Sequence, residues 1–421
     1  MNDTDAMADE HPGAEPEEGA DRPRLPPLHG RKVLDLSRVL AGPWCSMILA
    51  DLGAEVTKVE SPGRGDDTRH WGPPYAGTES AYFLCANRNK RSIAIDISTA
   101  MGQEIVRELA ADADVLVENF KLGGLDKYGL GYDAIALINP SIVYCSISGY
   151  GRNSPVAERA GYDFVIQAEG GLMAVTGGVD DEPMKVGVAV ADLATGMTAA
   201  QAVLAAIIAA DRDGVGQHID MALYDCQLAM MATVASAALV SGDEPKRYGN
   251  GHPTVVPYQL FAAQDGNFVI AVGNDRQFAS LARLIGLPDL ADDPRFAVNS
   301  ARVANRAELI PLINERTAAK TRSQWLDGLR SVGVPCGEVR SVSEAVNSAE
   351  AQARGMVSLV PHPTQGDIRM VSSPLQLLGT PVAAPVAPPV LGQHTASVLQ
   401  ALGYDTQAIE RLAADGVVAL N

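Results

Sequence analysis

The sequence predicts an α/β protein: a doubly wound, mainly parallel sheet with a second, smaller α+β unit. Three observations carry this reading. From Gly30 to about residue 245, short β-branched runs alternate with helical stretches, the pattern that builds parallel βαβ units. Several of those runs end in polar or glycine-bearing loops, which places the loops on one rim of the sheet, where open α/β sheets bind ligands. The alternation then stops at the long loop Arg247–Gln259 (RYGNGHPTVVPYQ) and a different texture follows. Loops of that length are often functional.

Taken in order, residues 1–27 are acidic, rich in Pro and Gly and poor in anything to bury, and read as a disordered tail. Lys32–Leu36 (KVLDL) is a strand. Pro43 suits the first position of a helix over Pro43–Leu52, which Gly53 ends. Ala54–Glu60 (AEVTKVE) is the next strand. The turn between them lacks G-x-G-x-x-G, so a Rossmann-like shape here does not imply NAD, and no P-loop motif occurs. A polar loop, Ser61–Trp71, leads to the basic cluster Arg88, Lys90 and Arg91, a phosphate holder or a solvated turn, and then to the strand Ser92–Asp96.

Met101–Ala111 is an amphipathic helix, and Ala113–Val117 and Ser141–Ser148 are strands ending in Glu118-Asn119-Phe120 and Gly149-Tyr150-Gly151. Gly161–Val175 reads as one helix, Gly214–Leu223 as a strand and Tyr224–Val240 as one helix. Beyond the long loop come the strand Gly266–Val272 and helices over Gln277–Ile285, Ala301–Thr317 and Ser323–Val332. Residues 333–352 link back, Pro374–Pro389 is an extended connector, and Gly392–Asn421 is mostly two short helices.

Composition excludes several function classes. At 421 residues and 47% hydrophobic the chain has enough apolar material for more than one core. Five cysteines with no CxxC pair argue against a zinc site or disulfide framework and fit a cytoplasmic protein. The net charge of −18 disfavours nucleic acid. The first 27 residues carry eight acids against Arg22 and Arg24, so the remainder is near −12. No stretch of membrane length is read as free of charge, so no membrane partner is expected.

One segment stands out. Met184–Ala210 (MKVGVAVADLATGMTAAQAVLAAIIAA) reads as a strand, Val186–Ala191, stopping at Asp192, a small-residue turn, Leu193–Gly196, and an apolar helix. That places one carboxylate at a strand's carboxyl end among small neighbours. The residues alone leave two roles open: Asp192 caps the helix, as Asp readily does, or it faces a ligand.

Many separate motifs then fall in one order: RVLAGP at Arg38–Pro43, DLGAEVTKVE at Asp51–Glu60, GDDTR at Gly65–Arg69, NKRS at Asn89–Ser92, VENF at Val117–Phe120, GYG at Gly149–Gly151, Ala191-Asp192, and LGQHT at Leu391–Thr395. From about Gly30 to the end the chain resembles the class III CoA-transferases, whose superfamily includes the α-methylacyl-CoA racemases. GTES at Gly77–Ser80, RAGYD at Arg159–Asp163 and VPYQ at Val256–Gln259 are similar to the branch acting on dicarboxylic acids, such as succinyl-CoA–glutarate CoA-transferases.

The resemblance implies a Rossmann-like CoA-binding domain built from residues 28–245 and 353–421, a smaller domain inserted over 246–332, and an interlocked homodimer. It implies CoA or acyl-CoA as substrate with no permanently bound cofactor and no metal. Asp192 maps onto the family's nucleophile, and a carboxylate that attacks a thioester needs neither metal nor external base. For CoA, Val39 and Ala41 match positions along the adenosine or pantetheine arm, and Asn119 and Phe120 match the VENF contact. Lys127 stands where a diphosphate-contacting Arg is usual, and Arg91 is a phosphate candidate. Tyr150 and Gly151 would line the pantetheine tunnel, although Tyr150 suits a core aromatic equally. Leu40 replaces the Gln of formyl-CoA transferases, which weakens a formyl or oxalate assignment. Gly249, Gly251 and His252 lie in a loop that would cover the reacting acyl group, with fewer glycines than is usual. Arg38, Arg69 and Arg247 are the candidate partners for a second substrate carboxylate, by fork geometry.

Two other readings stay in play. A racemase of this superfamily needs a His before the acid of an AGHD-like segment; here Tyr162 precedes Asp163, and Tyr is a poor base at neutral pH. The Glu of mycobacterial-type racemases would fall near Ala262. A non-catalytic CoA-binding protein would have no need of Asp192.

Overall fold

The structure is a computed structural model that describes residues 24–421. Its largest sheet has seven strands. Six are parallel: β1 (Lys32–Asp35), β2 (Glu55–Glu60), β3 (Lys90–Ile95), β4 (Val115–Glu118), β5 (Val143–Ser148) and β6 (Gln217–Ala222). They stand in the order β3-β2-β1-β4-β5-β6, and the C-terminal strand Val418–Ala419 adds to β3 antiparallel. Strand order therefore reverses between β1 and β4, which opens a crevice at their carboxyl ends.

Alternation along the strands sorts side chains to two faces. Val33, Val56, Val115, Val143 and Cys145 point to one face. There α1 (Ala41–Asp51) and α4 (Val190–Asp213) cover them with Cys45, Leu49, Ala199, Val203 and Ile207. Leu34, Ile93, Ile95, Leu116 and Tyr144 point to the other. There α2 (Ala100–Ala111) and the helices Thr395–Ala401 and Thr406–Ala414 supply Ile105, Val106, Val398, Leu399, Ile409 and Leu412. Thr99 starts α2 by accepting the Gly102 N–H with its side chain.

A separate core gathers Phe261, Phe268, Ile270, Phe278, Phe296, Trp325 and Leu329 around a three-stranded antiparallel sheet, Cys336–Glu338, Gly266–Ala271 and Tyr258–Ala263. This sheet runs past residue 332, because Cys336–Glu338 pairs with Gly266–Ala271. Tyr258–Ala263 is a strand that the sequence reading misses. A hairpin, Val357–His362 with Gly366–Val371, leads back.

Several expectations need correction. Most of the 1–27 tail lies outside the described residues, but its end is fastened: a Cβ on Gly53 would come within 2.4 Å of Pro26, and the Leu28 N–H donates to the Leu52 carbonyl. The expected helix Gly161–Val175 is two, α3 (Asp163–Glu169) and Leu172–Val175, broken where Gly171 takes φ +82°. The expected helix Tyr224–Val240 is Leu223–Met230 and Ala232–Ser241, bent by 75°. Val186–Ala191 is no strand; α4 already begins at Val190. Leu193–Ala210 is free of charge, so α4 is long and apolar enough to cross a membrane, yet its buried residues are core contacts to α1 and the sheet.

Candidate active site

The crevice between β1 and β4 is shaped by the segment after β1. Asn119 clamps it: its Oδ1 accepts the Arg38 N–H (2.8 Å) and its Nδ2 donates to the Arg38 carbonyl (2.7 Å). Val39 has φ +70°, a conformation rare for a β-branched residue. Its N–H donates to Asp66 Oδ1 at 3.2 Å. The Arg38 guanidinium lies over the Phe120 ring (5.4 Å) and meets Asp67 at 3.3 Å. Leu36, Arg38, Val59, Gly65, Phe120 and Tyr128 line a cavity of 230 Å³ here. Lys127 is exposed at its side, over the Tyr128 ring at 4.6 Å.

Asp192 is the third residue of α4 and is 8% exposed. It makes no side-chain hydrogen bond or ion pair among the described residues. Capping is done by a different acid, Asp163, whose Oδ1 accepts the Ala191 N–H at 2.8 Å. The other Asp163 oxygen accepts from Gln167 Nε2 (2.7 Å), and Gln167 Oε1 accepts the Val186 N–H (2.9 Å). Gln167 is fully buried and holds the chain leading into α4. Burial, with Asp163 adding its negative charge, pushes the Asp192 carboxyl up to about 7. The Tyr82 hydroxyl senses the same site: burial first, then the Asp192 charge, raises it to about 12.

Gly196 explains how Asp192 meets the crevice. It lies one turn along α4 on the same stripe as Asp192. A Cβ there would sit 2.6 Å from the Ala41 carbonyl oxygen. The second turn of α4 therefore crosses the first turn of α1 at backbone contact, at Ala41. Gly149 and Gly161 meet in the same way: a Cβ on Gly149 would be 2.6 Å from the Gly161 Cα. This contact seats α3, and with it Asp163, against the end of β5.

The other expected site residues divide. Gly151, at φ +81°, donates its N–H to Ser148 Oγ (3.0 Å). Tyr150 is a core aromatic at this rim, 7% exposed, with its hydroxyl donating to Glu169 (2.7 Å). Arg91 stands at the opposite, amino end of the sheet, paired with Glu55 and bonded to Thr57 Oγ1 (3.1 Å). Arg69 is buried and committed: its nitrogens reach both Glu60 oxygens and Glu79 at 2.7 Å, and the plane covers the Phe83 ring at 3.7 Å. Arg247 donates to the carbonyls of Ala174, Gly178 and Asp181. Of the three arginines, Arg38 keeps the most donor capacity for a ligand.

In the long loop, Gly249 has φ +58°. His252 Nδ1 accepts the Thr254 N–H (3.2 Å), and Arg306 donates to the His252 and Pro253 carbonyls. The loop is thus tied to the second core, and through Arg247 to the segment before α4. Tyr162 is 61% exposed and caps nothing. The sequence reading gave no site role to Gln167, Tyr82, Asp66 or Lys58, and weighed Asp163 only as the acid of a racemase-like segment. Lys58, a charge between Val56 and Val59 in a strand, was an available signal.

A family model for CoA-transferase family III matches residues 28–395. The chain belongs to that family. The succinyl-CoA:glutarate CoA-transferase of Mus musculus is 45% identical over 94% of this chain and 91% of its own length. The succinate–glutarate CoA-transferase of Agrobacterium fabrum is 44% identical over 93% and 98%. Among solved structures, a CAIB/BAIF family protein from Brucella suis superposes with a TM-score of 0.81 at 48% identity, covering 90% of this chain and all of that one. As a family III CoA-transferase the chain is a transferase that works on CoA thioesters. Such chemistry needs a nucleophile kept out of water, and Asp192 is buried without a side-chain partner among the described residues.

Proposed function

We propose that this enzyme moves CoA from succinyl-CoA to glutarate by covalent exchange on Asp192. One observation carries the mechanism: Asp192 is buried and unpartnered, one turn before the Gly196 contact between α4 and the start of α1. The substrates follow from the relatives that act on succinyl-CoA and glutarate.

The Asp192 carboxylate attacks the succinyl thioester carbonyl, and CoA thiolate leaves. A succinyl–aspartyl anhydride remains. The thiolate attacks the aspartyl carbonyl, which releases succinate and forms an aspartyl–CoA thioester. Glutarate displaces the thiolate to give a glutaryl–aspartyl anhydride. Attack of the thiolate on the glutaryl carbonyl then releases glutaryl-CoA and restores Asp192. No net proton moves at any step. Position three of α4 favours the carboxylate through the helix dipole, while burial keeps it poorly solvated and unpaired.

The cavity beneath Arg38 and Phe120 takes the nucleotide end of CoA, with Lys127 toward the diphosphate. Gly151 and Tyr150 flank the pantetheine arm, and the loop carrying Gly249, Gly251 and His252 covers the anhydride against water. Arg38 is the arginine we assign to a substrate or phosphate anion. The working form is a homodimer, whose second copy covers exposed Leu239 (86%) and Val240 (88%).

The test is incubation with succinyl-CoA and glutarate, following CoA esters by mass spectrometry. Glutaryl-CoA formation that disappears in Asp192→Ala supports the proposal. Loss of α-hydrogen to deuterated solvent without acid exchange would instead support racemisation. CoA binding with neither reaction would indicate a non-catalytic protein.

A further inference from the structure

The CoA cradle rests on a buried charge cluster that the transfer chemistry does not use. Lys58 lies in the middle of β2 and is fully buried. Its Nζ donates to the Ser37 carbonyl at 2.7 Å and pairs with Asp66 Oδ2 at 3.0 Å. Asp66 is itself 1% exposed. Its second oxygen accepts the Val39 N–H (3.2 Å), the Thr68 N–H (3.0 Å) and the Thr68 hydroxyl (2.8 Å). Ser37 is gripped from the other side, where Asp35 Oδ1 accepts its N–H at 2.9 Å. Lys58 therefore reaches both ends of Ser37-Arg38-Val39: directly through a carbonyl, and through Asp66 to the Val39 N–H.

That tripeptide holds the only β-branched residue with positive φ among the described residues, Val39 at +70°. Such a conformation persists only where its surroundings over-determine it. A charged lysine buried without solvent also persists only if it is paired and hydrogen-bonded. Each unfavourable feature is met by the other. We propose that Lys58 is a positioning residue for CoA-ester binding. It fixes the left-handed turn at Val39 through Ser37 and Asp66, and so keeps the start of α1 and its Val39–Ala41 edge shaped for the thioester arm. This inference rests on the reading that the Val39–Ala41 turn lines the CoA site.

The experiment compares wild type with Lys58→Met, with Lys58→Met/Asp66→Asn, and with each of these carrying Val39→Gly. The neutral pair removes the partner charge, so it stays folded if the single variant does not. Glycine takes positive φ without strain, so it supplies the turn without Lys58. The expected result is a KM for succinyl-CoA raised on the order of tenfold in the Lys58 variants, from strain no longer offset, with KM for glutarate unchanged. Val39→Gly then returns KM for succinyl-CoA toward the wild-type value without restoring the melting temperature. A purely structural lysine would lower the melting temperature, leave KM for succinyl-CoA unchanged and gain nothing from Val39→Gly; either of those two KM results overturns the inference. Wild-type protein that forms no glutaryl-CoA and binds no CoA ester would instead refute the functional reading beneath it.

Discussion

Replacing Asp192 with Asn should abolish transfer and at the same time stabilise the protein, but only above mildly acidic pH. The folded protein holds the Asp192 carboxyl at about 7, against an ordinary 3.8. Each pH unit of that gap is 1.36 kcal/mol, so keeping the residue ionised costs the folded state about 4 kcal/mol at most. Water entering at the open rim reduces this, and a measured difference of about 2–4 kcal/mol is expected. The sign follows from proton linkage. The folded chain binds this proton more tightly than the unfolded chain, so stability falls as pH rises from about 4 to about 7 and is level above that. The amide of the Asp192→Asn variant has no such proton to lose. The two proteins should therefore be equally stable near about pH 4, diverge through the interval, and differ fully by about pH 8. Denaturant unfolding at fixed protein concentration across that range measures it. Parallel stability curves for the two proteins, or an Asn variant less stable at about pH 8, would refute the claim that Asp192 is held buried and unpaired.

Other consequences are as direct. The rate of the first acyl transfer should rise with pH to a plateau, with a midpoint near 7 set by ionisation of Asp192, and single-turnover kinetics with succinyl-CoA reads it. Gly196→Leu places a side chain where even a Cβ would be 2.6 Å from the Ala41 carbonyl; α4 must lift from α1, with a loss of more than about 2 kcal/mol in unfolding free energy and of transfer activity together. Arg69→Ala leaves Glu60 and Glu79 buried without their partner. It should cost about 3–5 kcal/mol in thermal or denaturant unfolding, whereas a dicarboxylate-binding arginine would show its loss mainly in KM for glutarate.

The sheet was legible because its signals are local. KVLDL, AEVTKVE and SIVYCSIS each place apolar residues on both faces, and Pro43 and Gly53 bracket α1 in the sequence itself. What failed was local evidence overruled by contacts from elsewhere. Val186–Ala191 has β-branched alternation, but its backbone is taken up by Gln167 and by the start of α4, so it never reaches a sheet. Arg69 and Arg247 carry the same guanidinium as Arg38. Only the fold shows that two of them are spent, one on Glu60 and Glu79 and the other on three carbonyls. Arg91 sits in a convincing basic cluster, yet strand direction puts it at the amino end of the sheet, away from the crevice.

Asp192 shows why composition and spacing could raise two roles for an acid without deciding between them. A carboxylate in the first turn of a helix is a good cap, and capping would occupy the lone pairs a nucleophile needs. The chain separates the roles between two acids. Asp163, on a short helix seated by the Gly149–Gly161 contact, accepts the Ala191 N–H, and its charge makes the buried Asp192 carboxylate harder to ionise. Asp192, one residue further on, is left with the helix field and no partner. Its instability as a buried ion and its availability to a thioester carbonyl therefore have the same origin, and a change that relieved one would remove the other.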